Sequence, residues 1–280
     1  MSALNGFLCF AQQNSNTLYR QSAFRFDCDR CRRTRGEANK HMGFTLAEVL
    51  ITLGIIGVVA AITIPNLIAN HQKNVTVNKL KSEYSTFSNL ITRSVNDNGD
   101  TLNWITEFEN ISDLSEKSQL ITEKYIIPYI DGGGKPFKQY EYGTVWSLGG
   151  KESFFAYYTS GKPYRIKNGT VFKVSIYENK LYLLLDINNK IKNNIVGKDV
   201  FSFVINPKNN RLEPSGSGLS RNILTGNDND RWCYPPECET IEWLTGLKGC
   251  NKNNTDRYGG YYCSALIMQD GWQITSDYPW

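Results

Sequence analysis

From Phe44 to Ile64 the chain is apolar or small at almost every position, and the one formal charge in these 21 residues is Glu48. A helix of that length reaches roughly 31 Å, about the thickness of a hydrocarbon core. Beyond Pro65 the pattern becomes one-sided. Leu80, Tyr84, Phe87 and Ile91 recur at steps of four, three and four, with Leu90 and Val95 beside them. That spacing is one face of an amphipathic helix. Lys73, Lys79, Lys81, Glu83 and Arg93 fall largely off the stripe, and Asn96-Asp97-Asn98-Gly99 supplies a stop. The pattern predicts one helix from Phe44 to about Val95, apolar all round in its first half and one-sided in its second. Pro65 removes a backbone donor and bends it.

The pattern then shortens. Short helices are expected in TLNWITEFENIS and SEKSQLITEKYI, and Asp131-Gly132-Gly133-Gly134 breaks the chain. Strands are expected at Val145–Leu148, Ser153–Tyr158, Tyr164–Lys167, Thr170–Tyr177, Leu181–Asp186 and Val200–Ile205. Asn168-Gly169 is a hairpin signal between two of them. A meandering antiparallel sheet laid on the amphipathic helix is an α+β fold. The expected organisation is residues 1–43, then a helix over 44–96, then a head over 97–280 whose tail, 233–263, is rich in cysteine.

Charge sharpens the reading of the apolar run. The net charge is +4, and residues 1–43 hold Arg20, Arg25, Arg30, Arg32, Arg33, Arg35 and Lys40 against Asp27, Asp29 and Glu37. The rest of the chain carries 24 basic and 24 acidic residues. All the excess therefore precedes the apolar run, where the positive-inside rule places a cytoplasmic flank. A nucleic-acid surface would want it on the folded part, and no nucleic-acid partner is expected.

Glu48 is unexplained by a plain signal anchor, because a carboxylate inside a membrane helix costs about 2.5–3.5 kcal/mol near its centre. A cleaved secretory signal fits no better, since Pro65-Asn66-Leu67-Ile68 is a poor cleavage site. A new amino terminus at Phe44 would supply the missing cation, and a buried pair of that kind fixes axial register between neighbouring helices.

Gly43-Phe44-Thr45-Leu46-Ala47-Glu48, with Val49 to Ile64 apolar behind it, resembles the amino-terminal motif of type IV pilins and type II secretion pseudopilins. The resemblance covers about 23 residues. It implies that a prepilin peptidase cuts between Gly43 and Phe44 on the cytoplasmic side and methylates Phe44. It implies that Glu48 is the docking glutamate and that Pro65 is the helix-kinking proline. Residues 1–43 are then a removed leader, longer than the short basic leaders common in the family. The implied partners are other subunits of the same kind, an assembly platform protein and an ATPase. The implied location is the inner membrane, single-pass, with the head outside the cytoplasm and the filament periplasmic or at the cell surface.

Two further constellations carry candidate chemistry. Between Asp186 and Asp199 stand Asn188, Asn189, Asn193 and Asn194, six oxygen-bearing side chains within fourteen residues. Hard cations take six to eight oxygens. The resemblance implies calcium in such a loop, held by Asp186, Asn188, Asn194 and Asp199; the alternative is a polar turn. Cys233, Cys238, Cys250 and Cys263 are spaced too widely for a zinc site and read as two disulfides, with three possible connectivities. The tail aromatics Trp243, Trp272, Tyr278 and Trp280 are either packing residues or a carbohydrate-stacking face.

Catalysis is not expected. The chain has two histidines, and one of them, His41, lies in the leader. The expected function is a structural filament subunit, with a membrane-anchored binding module or adhesin as the alternative.

Overall fold

The structure is a computed structural model that describes residues 43–136, 144–153, 161–177, 179–188, 190, 193–226 and 249–280. The leader, most of the Ser153–Tyr158 strand, Asn189, Trp243, Cys233 and Cys238 lie outside the described residues. Contacts divide the chain into two units, Met1–Gly54 and Ile55–Trp280.

Helix α1 spans Leu46–Asn98 and runs through Pro65. In the first unit its apolar side chains are exposed at every described position, with Leu46 at 78%. From Ile55 to Ile68 the same holds except at half-buried Ala60, and Ile62 is 67% exposed. Thr52 and Thr63 donate their hydroxyls to the carbonyls of Val49 and Val59 at 3.0 and 2.9 Å. Such back-bonding leaves no hydroxyl unpaired in an apolar setting.

From Val77 onward α1 buries one face. Val77, Leu80, Glu83, Phe87, Leu90, Ile91 and Ser94 are buried, and Tyr84 and Val95 are partly so. Glu83 departs from expectation. It sits on the buried face at 3% exposure, where Asn168 Nδ2 donates to its Oε1 at 2.7 Å. The helix stops at Gly99, whose φ of +76° takes the chain out of the helix while its N–H donates to the Val95 carbonyl at 2.8 Å.

Helices α2 (Thr101–Thr106) and α3 (Leu114–Ile121) follow, close to the expected positions. The start of α2 is capped from a distance. Asn210 Oδ1 accepts from the N–H and the hydroxyl of Thr101, both at 2.8 Å, and its Nδ2 donates to Asp100. The α3 helix runs on into a π-turn over Thr122–Ile126 and a 3-10 turn over Ile127–Tyr129. Trp104 stacks on Tyr125 with ring centroids 4.7 Å apart.

The sheet strands are β1 (Lys135–Pro136), β3 (Pro163–Arg165), β4 (Val171–Tyr177), β5 (Lys180–Asp186), β7 (Val200–Asn206) and β8 (Arg211–Pro214). They lie in that order, each antiparallel to the next. The expected strand at Val145–Leu148 is instead two residues long: β2 (Val145–Trp146) leaves the sheet and pairs in parallel with β6 (Asn194–Ile195). Its short run of hydrogen bonds cannot extend the large sheet, but it pins the 187–199 connection.

Both faces of the sheet are covered. Phe172, Val174, Leu183, Leu185, Phe201 and Phe203 belong to the core that includes the α1 residues. Val171, Leu184 and Val200 form a second cluster with Val145 and Val196. That is why β4 is buried from Val171 to Ile176 rather than alternating. The chain ends with α4 (Arg221–Thr225) and α5 (Cys263–Gln269). The α5 helix closes at Gly271 with φ +69°.

Candidate functional site

Gly43 and Phe44 precede the first turn of α1, and Phe44 is 89% exposed. A Cβ at Gly43 would meet nothing within 4 Å. Thr45 is the N-cap. Its N–H and hydroxyl both donate to Glu48 Oε2 at 2.8 Å, and the Glu48 N–H donates back to Thr45 Oγ1 at 3.2 Å. This is a reciprocal capping box, which satisfies donors that the first helical turn leaves open. It fixes where the helix begins, and so leaves the Gly43–Phe44 bond in non-helical, exposed backbone.

The pairing also revises the account of Glu48. The carboxylate has a partner within its own chain before any cleavage, and Thr45 supplies it. The signal was legible as Thr-x-x-Glu at a helix start, but the sequence reading gave Thr45 no role. Pro65 lies within α1, in a stretch whose large apolar side chains are exposed.

The 186–199 connection is organised by its own side chains. Asp186, at the end of β5, is 1% exposed, and Asn194 is fully buried. Asp186 Oδ1 accepts from the Asn188 N–H at 3.1 Å, and Oδ2 from Asn194 Nδ2 at 2.6 Å. Asn188 Nδ2 donates to Asn194 Oδ1 at 3.0 Å, while Asp199 Oδ2 accepts from the Ile195 N–H at 2.9 Å. The structure thus gathers Asp186, Asn188 and Asn194, and turns Asp199 to the backbone of β6. In this structure the Asp186, Asn194 and Asp199 oxygens each accept from an N–H of the connection itself. Among the described residues no group of three or more His, Cys, Asp or Glu side chains is placed to hold a metal.

Cys250 and Cys263 form a disulfide and are both fully buried. Of the three connectivities, one contains this bond. Tyr278 is buried, its hydroxyl donating to the Gly197 carbonyl, while Trp272 and Trp280 pack partly buried against the core. These three are packing residues. Arg221 on α4 donates to Asp270 and, at 2.6 Å, to Asp277, which clasps the tail. Hydrogen bonds from Thr275 and then Arg221 hold the Asp277 carboxyl down to about 2.

A family model described as a family of unknown function, DUF6613, matches residues 66–280. The chain belongs to DUF6613. The model covers the one-sided part of α1 and the whole head of this DUF6613 protein. Residues 39–64 match the prokaryotic N-terminal methylation motif, the signal of type IV pilins and pseudopilins. That match ends one residue before Pro65 and includes Gly43, Phe44, Thr45 and Glu48. The DUF6613 chain is therefore a pilin-type precursor, with an apolar helix suited to membrane anchoring and an α+β head. No curated protein and no solved structure matches it.

Proposed function

We propose that this DUF6613 protein is a structural subunit of a type II secretion or type IV pilus-like filament, not an enzyme. The observation that carries the reading is the junction at Gly43–Phe44: exposed, outside the helix, and followed at once by a capped, uncovered apolar helix. The basic leader holds the amino terminus in the cytoplasm. Prepilin peptidase cuts after Gly43 and Phe44 is methylated. The helix then waits in the inner membrane, single-pass, until a platform protein and an ATPase extract it, and the head stays outside the cytoplasm. In the filament the apolar helices bury one another. Glu48 then exchanges part of its bond to Thr45 for the amino group of Phe44 on a neighbouring subunit.

The capping box favours a second reading. Because Thr45 already serves Glu48, the carboxylate needs no neighbour, and the chain would be a membrane-anchored binding module or adhesin that forms no filament. The intact mass and amino-terminal fragment spectrum of the membrane-extracted protein, from a host with its peptidase, tests the processing step. An amino terminus at Phe44 carrying one added methyl group is expected; residues 1–43 still attached would reject the filament reading. Glu48→Val separates the two readings further, for it is expected to insert normally and yield no filaments. Filament yield equal to wild type would remove Glu48 from assembly.

A further inference from the structure

A cavity of about 490 Å³ runs along the outer edge of β8, between Tyr84 of α1, the Gly216–Leu219 turn and the end of α5. That volume lies within the usual range for small-molecule sites, about 300–1,000 Å³. It belongs neither to the processing site nor to the uncovered apolar helix.

Its walls are held before any ligand arrives. The Tyr84 ring lies 5.6 Å from both Phe203 and Trp272, and its hydroxyl donates to the Leu212 carbonyl at 3.1 Å. Trp272 is itself fixed in the left-handed region at φ +63°, where a bulky side chain is strained, with Lys81 over its ring. Two outward turns of backbone, Gly216 at φ +91° and Gly218 at φ +82°, close the far side.

Strand addition by a peptide is hindered at this edge. The Leu212 carbonyl is taken by Tyr84, the Pro214 carbonyl by the Ser217 N–H at 2.9 Å, and Pro214 has no N–H to give. Recognition at this edge then rests mainly on side chains. Arg211 and Glu213 both line the cavity, so an anion meets a carboxylate and a cation meets a guanidinium. A purely apolar ligand would strip water from both, and from the Gln269 amide, without replacing it. Asn206 and Asn209 hold Glu213 at 3.1 and 2.8 Å, which orients its carboxylate as an acceptor. Donors from Arg211, acceptors from Glu213 and both from Gln269 and Ser217 match groups that themselves donate and accept, namely hydroxyls. Met268 and the edge of Tyr84 supply an apolar patch for a C–H face.

We propose that this cavity binds a neutral, hydroxyl-rich ligand of monosaccharide size. The inference does not depend on filament assembly.

The test uses the full chain in a detergent without a sugar headgroup. Saturation-transfer NMR and titration would use the methyl glycosides of glucose, galactose and mannose, and N-acetylglucosamine, with glucuronic acid and glucosamine as charged counterparts. At least one neutral probe is expected to bind with Kd at or below about 1 mM. Arg211→Ala and Gln269→Ala, both at exposed positions, are each expected to weaken binding about tenfold with the thermal midpoint unchanged. Three results would overturn the proposal: no neutral probe binding at about 10 mM, undiminished binding in both variants, or a charged counterpart binding as tightly as its neutral parent. If a variant lowers the midpoint, Ser217→Ala replaces it in the same titration.

Discussion

The first half of α1 is apolar at most of its positions and the second half at a minority of them, and the protein treats the two in opposite ways. Phe87 is 1% exposed and Ile62 is 67% exposed, on one continuous helix. The difference is in amount and in arrangement. Beyond Val77 the apolar residues fall on one side, and the sheet of the same chain covers that side. Before Ile68 they fall on every side, and no single surface of a head this size can cover a helix all round. A one-sided helix finds its partner within the chain, whereas an all-round apolar helix needs lipid or other copies of itself.

The most direct way to break this contrast is to cut one side chain from each half. Phe87→Ala removes a ring packed on Phe172 at 5.1 Å and is expected to cost the head about 3–5 kcal/mol. Ile62→Ala is expected to change head stability by less than about 0.5 kcal/mol. Urea midpoints of both variants in detergent check the pair; equal losses would mean that the first half also packs on its own chain.

The head also differs from the stalk in being cross-linked. Cys250→Ser is expected to lower unfolding free energy by about 2–4 kcal/mol, and reductant should destabilise the wild type by at least as much. A buried charge gives a pH-dependent contrast of similar size. Lys173, on β4, is 7% exposed, and burial pushes its amine down from 10.5 to about 8. Between those values the unfolded chain binds more protons than the native one, so stability rises with pH. Denaturant midpoints at pH 7.5 and 9.5 — values set by that window — should increase by at most about 3 kcal/mol in free energy, and Lys173→Met should flatten the rise.

A smaller effect lies at the join of stalk and head. Asn210→Ala removes the distant cap of α2 and is expected to cost about 0.5–2 kcal/mol. Protection of the Thr101 amide from hydrogen exchange should fall with it. Smallest of all is the response to calcium. Because the oxygens of the 186–199 connection already face N–H donors, added calcium or a chelator should leave the thermal midpoint unchanged. A clear rise with calcium would show that the connection rearranges into a cage.

Legibility followed the range of the interactions. The capping box at Thr45–Glu48, the stripe from Leu80 to Ile91, the stop at Gly99 and the β4–β5 strands all depend on neighbours a few residues away, and their spacing is visible in the chain. Glu83 was misplaced because its charge argued for solvent; its partner, Asn168, stands 85 residues later. Strand β8 passed unremarked because Arg211-Leu212-Glu213-Pro214 has one apolar strand former, and its place is set by pairing with β7. The cavity beside it joins residues from Tyr84 to Gln269, a set that no local pattern can gather.

By itself the sequence determined that a prokaryotic methylation motif opens the apolar helix, which helix lacks an internal partner and that an antiparallel sheet follows it. These are consequences of local spacing, of side-chain polarity and of the membrane's fixed thickness. Only the tertiary structure decided that Asn168 serves Glu83, that β2 leaves the sheet for β6, that Cys250 bonds Cys263 and that the edge of β8 borders a lined cavity. Each of these depends on which distant surfaces come into contact, and contact is settled by packing the whole core at once.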